Sequence, residues 1–291
     1  MLKVIIDFDG TLTAEEEQAN PLADAMLASL ATEILNTPVD QLIVDYQTTR
    51  TSLKQMPHRY RWEVNGLVAS YCDEGAFILN TTTIQTMLKE NPAYLTAVQA
   101  AFPNPEYDAV IDCVNEMFHR HTAQLPLTFR PAAKKVLSEL IKHPQRRPVI
   151  LTNSLGDKVK RHLAALGLAE QISILGDTRQ YEMSLDCPCH FPSLGDSQKW
   201  TVAENYEIDL RRPDYYNALN AAAADGSRLV VVADTFSMPG ALPLMMGIPF
   251  ILIHTIYTPD WCLQAVANHP LGSILADLAD LPTALNALPG G

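Results

Sequence analysis

The chain has 291 residues, with 21 Lys and Arg against 33 Asp and Glu, giving a formal net charge of −12. That balance argues against a nucleic acid or an anionic membrane surface as partner, although an anionic small substrate needs only a local positive field. No apolar run approaches the ~20 residues of a membrane span. The five cysteines are scattered and odd in number, which is unlike a disulfide framework and suits a reducing cytoplasm.

The first predicted element is a buried strand, Lys3-Val4-Ile5-Ile6, that breaks into the polar turn Asp7-Phe8-Asp9-Gly10. From Thr13 to about Pro126 the pattern is helical with no convincing strand, punctuated by Pro38, Pro57, Pro92, Pro103 and Pro105. This stretch reads as an all-helical insertion. Within it Arg50, Lys54, His58, Arg59 and Arg61 form a basic run beside Tyr60 and Trp62, which reads either as a solvated helix face or as an attractor for an anion.

A helix over 132–143 and a strand over 147–151 follow, the strand ending in Thr152-Asn153-Ser154. A helix over 156–166 is closed by Gly167, and 172–176 is a weaker strand. Residues 177–209 read as an irregular insertion containing Cys187-Pro188-Cys189-His190, for which a proline-rich loop is the default and a metal or redox site the alternative. The helix 213–224, the strand 227–234, a short helix over 240–246 and the strand 248–254 complete the pattern, and Pro289-Gly290-Gly291 reads as a frayed end. Strands alternating with helices imply an α/β fold with a parallel sheet, whose ligands bind beyond the carboxyl ends of the strands.

Asp7-Phe8-Asp9-Gly10-Thr11-Leu12-Thr13 carries the sharpest chemistry. Residues two apart on a strand point the same way, so the carboxylates of Asp7 and Asp9 start on one side. Two carboxylates that close favour a shared proton or a bound cation, and a hard ion such as Mg²⁺ takes oxygen ligands. One Asp could attack phosphorus, and the other could protonate the leaving oxygen and later activate water.

Here the sequence resembles the haloacid dehalogenase (HAD) superfamily of phosphohydrolases, whose first motif has the form DxDGTL[TV]. The resemblance implies a Rossmann-like core over 1–14 and 127–291 and a helical C1-type cap over 15–126. It makes Asp7 the nucleophile, Asp9 the general acid and base, and Thr152 the hydroxyl that ends the second-motif strand. Arg212 stands where the third motif usually has Lys, with Arg211, Lys158 and Lys199 as possible substitutes. It further implies that Gly10, Thr11, Asn153 and Ser154 bind the substrate. The acidic residues Asp7, Asp9 and Asp234 are expected to converge on one Mg²⁺, Asp9 contributing its backbone carbonyl. Met238 and Pro239 occupy the positions of the fourth motif's second acid.

The implied activity is a phosphatase of a small phosphorylated metabolite, with a phosphoryl-transfer mutase or a non-catalytic phosphate-binding relative as alternatives. A dehalogenase is disfavoured because Asp9 is present. A phosphonate hydrolase is disfavoured because Lys54 and Lys89 are the cap lysines, and neither has a persuasive context.

Overall fold

The computed structural model describes residues 1–104 and 108–288, so Pro105 and the expected frayed end lie outside the described residues. The chain divides into two compact units. One comprises Met1–Ala14, Trp62–Ser70 and the chain from Phe129 onward; the other comprises Glu15–Arg61 and Tyr71–Thr128.

In chain order, β1 (Leu2–Ile6) leads into the insertion, which holds α1 (Glu15–Ser29), α2 (Val39–Gln55), β2 (Arg61–Val64), β3 (Leu67–Tyr71), α3 (Ala76–Glu90), α4 (Pro92–Ala101) and α5 (Ala109–Thr122). The chain continues through α6 (Ala133–Lys142), β4 (Arg146–Leu151), α7 (Gly156–Ala165), β5 (Ser173–Leu175), β6 (Lys199–Ala203) and β7 (Tyr206–Asp209). It ends with α8 (Pro213–Ala223), β8 (Arg228–Ala233), α9 (Ala241–Met245), β9 (Phe250–Ile253), α10 (Asp260–Ala267), β10 (Gly272–Leu275) and α11 (Leu281–Ala287).

Six strands form a parallel sheet in the order β10-β9-β8-β1-β4-β5, with β1 at its interior. The β-branched and leucine runs of β1, β4, β8 and β9 are almost wholly buried, as strands covered on both faces require. Ile6 pairs with Ile150 of β4 on one side and with Val232 of β8 on the other. That register sets the polar residues following the three strands at one level, with Asp7 N–H still donating to the Val232 carbonyl at 3.0 Å.

The helical unit has its own core, in which Leu22, Met26 and Leu27 of α1 join Ile84, Met87 and Leu88 of α3 and Val110, Val114 and Met117 of α5. The insertion is nevertheless not all-helical, because β2 and β3 form a two-stranded sheet. Their turn is Asn65-Gly66, with φ of 53° and 74°. Both values are left-handed, and Asn-Gly meets the demand of a tight hairpin turn at little steric cost. This hairpin, Trp62 to Ser70, groups with the α/β unit. Asn65 Nδ2 donates to the Met183 carbonyl at 2.8 Å, and the Trp62 and Tyr181 rings lie 5.4 Å apart.

The region 177–209, read as irregular, contains a second hairpin, β6 and β7. Cys187 and Cys189, read as part of a proline-rich loop with a metal or redox site as the alternative, are joined as a disulfide; one intervening proline leaves their Cα atoms 5.1 Å apart, within bridging range. Cys72, Cys113 and Cys262 are free and buried. Among the described residues no helix is long and apolar enough to cross a membrane.

Candidate active site

After β1 the chain turns sharply, with the amides of Leu12 and Thr13 both donating to the Phe8 carbonyl. Gly10 occupies this turn at φ +74°. A Cβ there would lie 2.2 Å from Oδ2 of Asp234, so glycine is required by both the backbone and the neighbouring carboxylate. The loop is clamped from outside by Arg130, whose Nε and Nη2 donate to the Gly10 carbonyl at 3.1 and 2.5 Å. Thr13 accepts from the Gly10 amide at 3.1 Å.

Asp7 and Asp234 face one another across the ends of β1 and β8. Partial burial pushes the Asp7 carboxyl well above the usual carboxylate range, and the charges of Asp234 and then Asp9 push it further. Hydrogen bonds from the Phe8 amide and the Thr152 hydroxyl act in the opposite direction. Thr152 is buried at the end of β4, and its hydroxyl also accepts from the Ser154 amide at 3.2 Å. Asp234 is oriented by Thr11, whose hydroxyl donates to Oδ1 at 3.0 Å and accepts from the Asp234 amide at 3.1 Å.

Asp9 points elsewhere. Its Oδ2 accepts from Ser154 Oγ at 2.6 Å and its Oδ1 from Lys158 Nζ at 3.5 Å. Among the described residues no group of three His, Cys, Asp or Glu side chains is placed to hold a metal ion. The acidic side chains of 7, 9 and 234 therefore do not form a three-carboxylate cage. Asp7 and Asp234 remain as two hard oxygen donors, a set that fits Mg²⁺, which usually keeps several waters and takes one or two protein carboxylates.

Two side chains expected at the substrate are occupied by the protein itself. Thr11 is buried and spent on Asp234. Asn153 accepts from the Gln180 amide at 2.7 Å and directs its Nδ2 to the Met238 sulfur at 3.8 Å. Met238 thus packs against the loop after β4. Arg212 is 0% exposed, with Nη1 donating to the Gln180 carbonyl at 3.0 Å and Nη2 to the Ala69 carbonyl at 2.6 Å.

Sequence reasoning overlooked Arg130, Gln180 and Tyr215. The buried Tyr215 phenol is raised well above its ordinary pKa, by burial first and then by the charge of Asp7, while Arg212 acts the other way. Its hydroxyl donates to the Pro239 carbonyl at 3.1 Å.

No protein-family model and no curated protein matches the chain. Solved structures do. YfnB of Bacillus subtilis, a candidate HAD-hydrolase with bound magnesium, aligns over 98% of both chains at 14% identity and a TM-score of 0.53. A candidate β-phosphoglucomutase of Thermotoga maritima aligns over 99% of this chain and 100% of its own, at 14% identity and 0.51. A predicted phosphoglycolate phosphatase of Haemophilus somnus gives 97% and 96%, 14% and 0.50.

This is the haloacid dehalogenase-like fold. In its core the loop after β1 is flanked by those after β4 and β8.

Proposed function

We propose that the protein is a divalent-cation-dependent phosphoric monoester hydrolase acting on a small phosphorylated metabolite. The observation that carries the reading is Asp7, facing a second carboxylate and accepting from Thr152 at the shared end of β1, β4 and β8. Like charges held this close are costly unless a cation or proton offsets them. Asp7 and Asp234, with the Asp9 backbone carbonyl, would hold Mg²⁺, which supplies charge neutralisation and substrate orientation.

In the proposed reaction an oxygen of Asp7 attacks phosphorus, and the bond to the ester oxygen breaks. Asp9, at the rim, takes up a proton from solvent as the substrate binds and passes it to the departing alkoxide. The aspartyl-phosphate is then hydrolysed when Asp9 takes a proton from water and that water's oxygen attacks phosphorus. Inorganic phosphate leaves, and the Asp7 carboxylate is restored. Thr152 orients the nucleophile throughout, and the arrangement works by positioning and electrostatics.

The test is hydrolysis of p-nitrophenyl phosphate with Mg²⁺, with EDTA, and by Asp7→Asn. Loss of activity in the last two conditions supports the reading. Activity indifferent to both contradicts it, and inactivity across a broad phosphate-ester panel favours a non-catalytic phosphate-binding relative.

A further inference from the structure

The carboxylates of Asp7 and Asp234 beside an incoming phosphate dianion call for positive charge, and the obvious donor by position is Arg212. The structure spends it otherwise. Arg212 is fully buried where α8 begins, and its two terminal nitrogens tie the Gln180 carbonyl to the Ala69 carbonyl of β3. A phosphoryl oxygen that took those two N–H groups would displace buried backbone carbonyls, which would then lose their partners.

Lys158 is placed differently. It lies in the first turn of α7, with Nζ 3.0 Å from Ser154 Oγ and 3.5 Å from Asp9 Oδ1. Both ends of that ion pair reach solvent, Lys158 at 37% and Asp9 at 34% side-chain exposure. Ser154, Lys158 and His162 recur at four-residue spacing along one side of this segment. The His162 ring stacks on Phe8, between the two aspartates, with centroids 6.3 Å apart. That contact holds the Lys158 face of the helix against the nucleophile loop. An ammonium on a flexible stem can follow a phosphoryl group as it moves, which a braced guanidinium cannot.

We propose that Lys158 is the side-chain cation that meets the substrate's phosphoryl group, and that Arg212 is a positioning residue bracing the 178–183 segment and the β2–β3 hairpin. This rests on the phosphoryl reading above. Before substrate arrives, Lys158 is held by Ser154 and Asp9; on binding it exchanges the long contact to Asp9 for a phosphoryl oxygen, leaving Asp9 beside the leaving group.

The experiment is calorimetric binding of orthovanadate, in the presence of Mg²⁺, to the wild-type chain, Lys158→Ala, Lys158→Met and Lys158→Arg, each checked for folding by circular dichroism. Lys158→Met keeps the aliphatic stem and guards against a packing defect. The neutral variants are expected to bind vanadate roughly 10- to 100-fold more weakly, the loss of one charge-assisted hydrogen bond, and Lys158→Arg to recover most of it. Folded neutral variants within twofold of wild type, or a wild type that binds no vanadate, overturn the inference. Lys158-dependent vanadate binding without ester hydrolysis would sink the hydrolase reading alone. Hydrolysis and vanadate binding untouched by the neutral variants would sink this assignment alone.

Discussion

Each unit buries a polar cluster, and the two clusters differ in how they are balanced. In the helical unit Arg50 Nη1 donates to the Tyr46 hydroxyl at 2.6 Å and to Asn80 Oδ1, and Asn80 Nδ2 donates to the Ala19 carbonyl at 2.6 Å. Donors meet acceptors there, and the cluster ties α2, α3 and α1 together. In the α/β unit Asp7 and Asp234 set acceptor against acceptor, and the carboxyl of Asp7 is driven upward in pKa by burial first and then by the charge of Asp234. A satisfied network is structure, whereas one left with excess negative charge is shaped for something that arrives.

The largest expected consequence is in activity. Asp7→Asn should lower hydrolysis of p-nitrophenyl phosphate at least about 10³-fold, since it removes the proposed nucleophile, while its melting temperature stays at or above wild type. A variant that loses its fold instead would show that Asp7 is structural and erase the contrast with Arg50. Gly10→Ala comes next. Its Cβ meets Asp234 Oδ2 at 2.2 Å on a left-handed backbone, so urea unfolding should show a loss of about 2–4 kcal/mol.

Arg50→Met is the matching test in the helical unit. Removing a charged donor from Tyr46 and Asn80 should cost about 2–3 kcal/mol in chemical denaturation. A neutral outcome would mean that the cluster is no more than a solvated face.

The pH dependence of the metal-free protein sharpens the same comparison. A carboxyl whose folded pKa is raised adds stability below its unfolded value of about 4 and loses it as pH rises through the folded value. The thermal stability of Asp7→Asn relative to wild type should therefore grow from pH 4 upward in EDTA and shrink when Mg²⁺ is added. The smallest effect is expected at Gly66. A Cβ there meets nothing within 4 Å, yet φ is +74°, so Gly66→Ala should cost only about 1 kcal/mol by thermal melting.

What the sequence made legible were features that repeat a local rule. The buried runs of β1, β4, β8 and β9 announced the sheet, and Asp7-Phe8-Asp9-Gly10 announced the turn at its edge. Strand β2 escaped because Arg61 and Glu63 face outward and alternate with half-buried Trp62 and Val64, inside a run read by its charge. The Asn65-Gly66 pair was the signal that could have found it. Strand β10 is four half-buried residues at the sheet edge, too weakly patterned to register.

Side-chain partners that are distant in sequence were not legible. Thr11 and Asn153 have the chemistry of phosphate ligands, but only folding shows that Asp234 and Gln180 already occupy them. Arg130 acts on a backbone carbonyl, which has no residue signature at all.

The central claim is that the carboxylate at position 7 becomes covalently phosphorylated. Acid-quenching the protein during turnover of p-nitrophenyl phosphate, followed by borohydride reduction and peptide mass spectrometry, tests it directly. The account predicts that Asp7 is converted to homoserine in wild type, with no such product from Asp7→Asn. Sustained hydrolysis with an unmodified Asp7, or with trapping at any other residue, would contradict it.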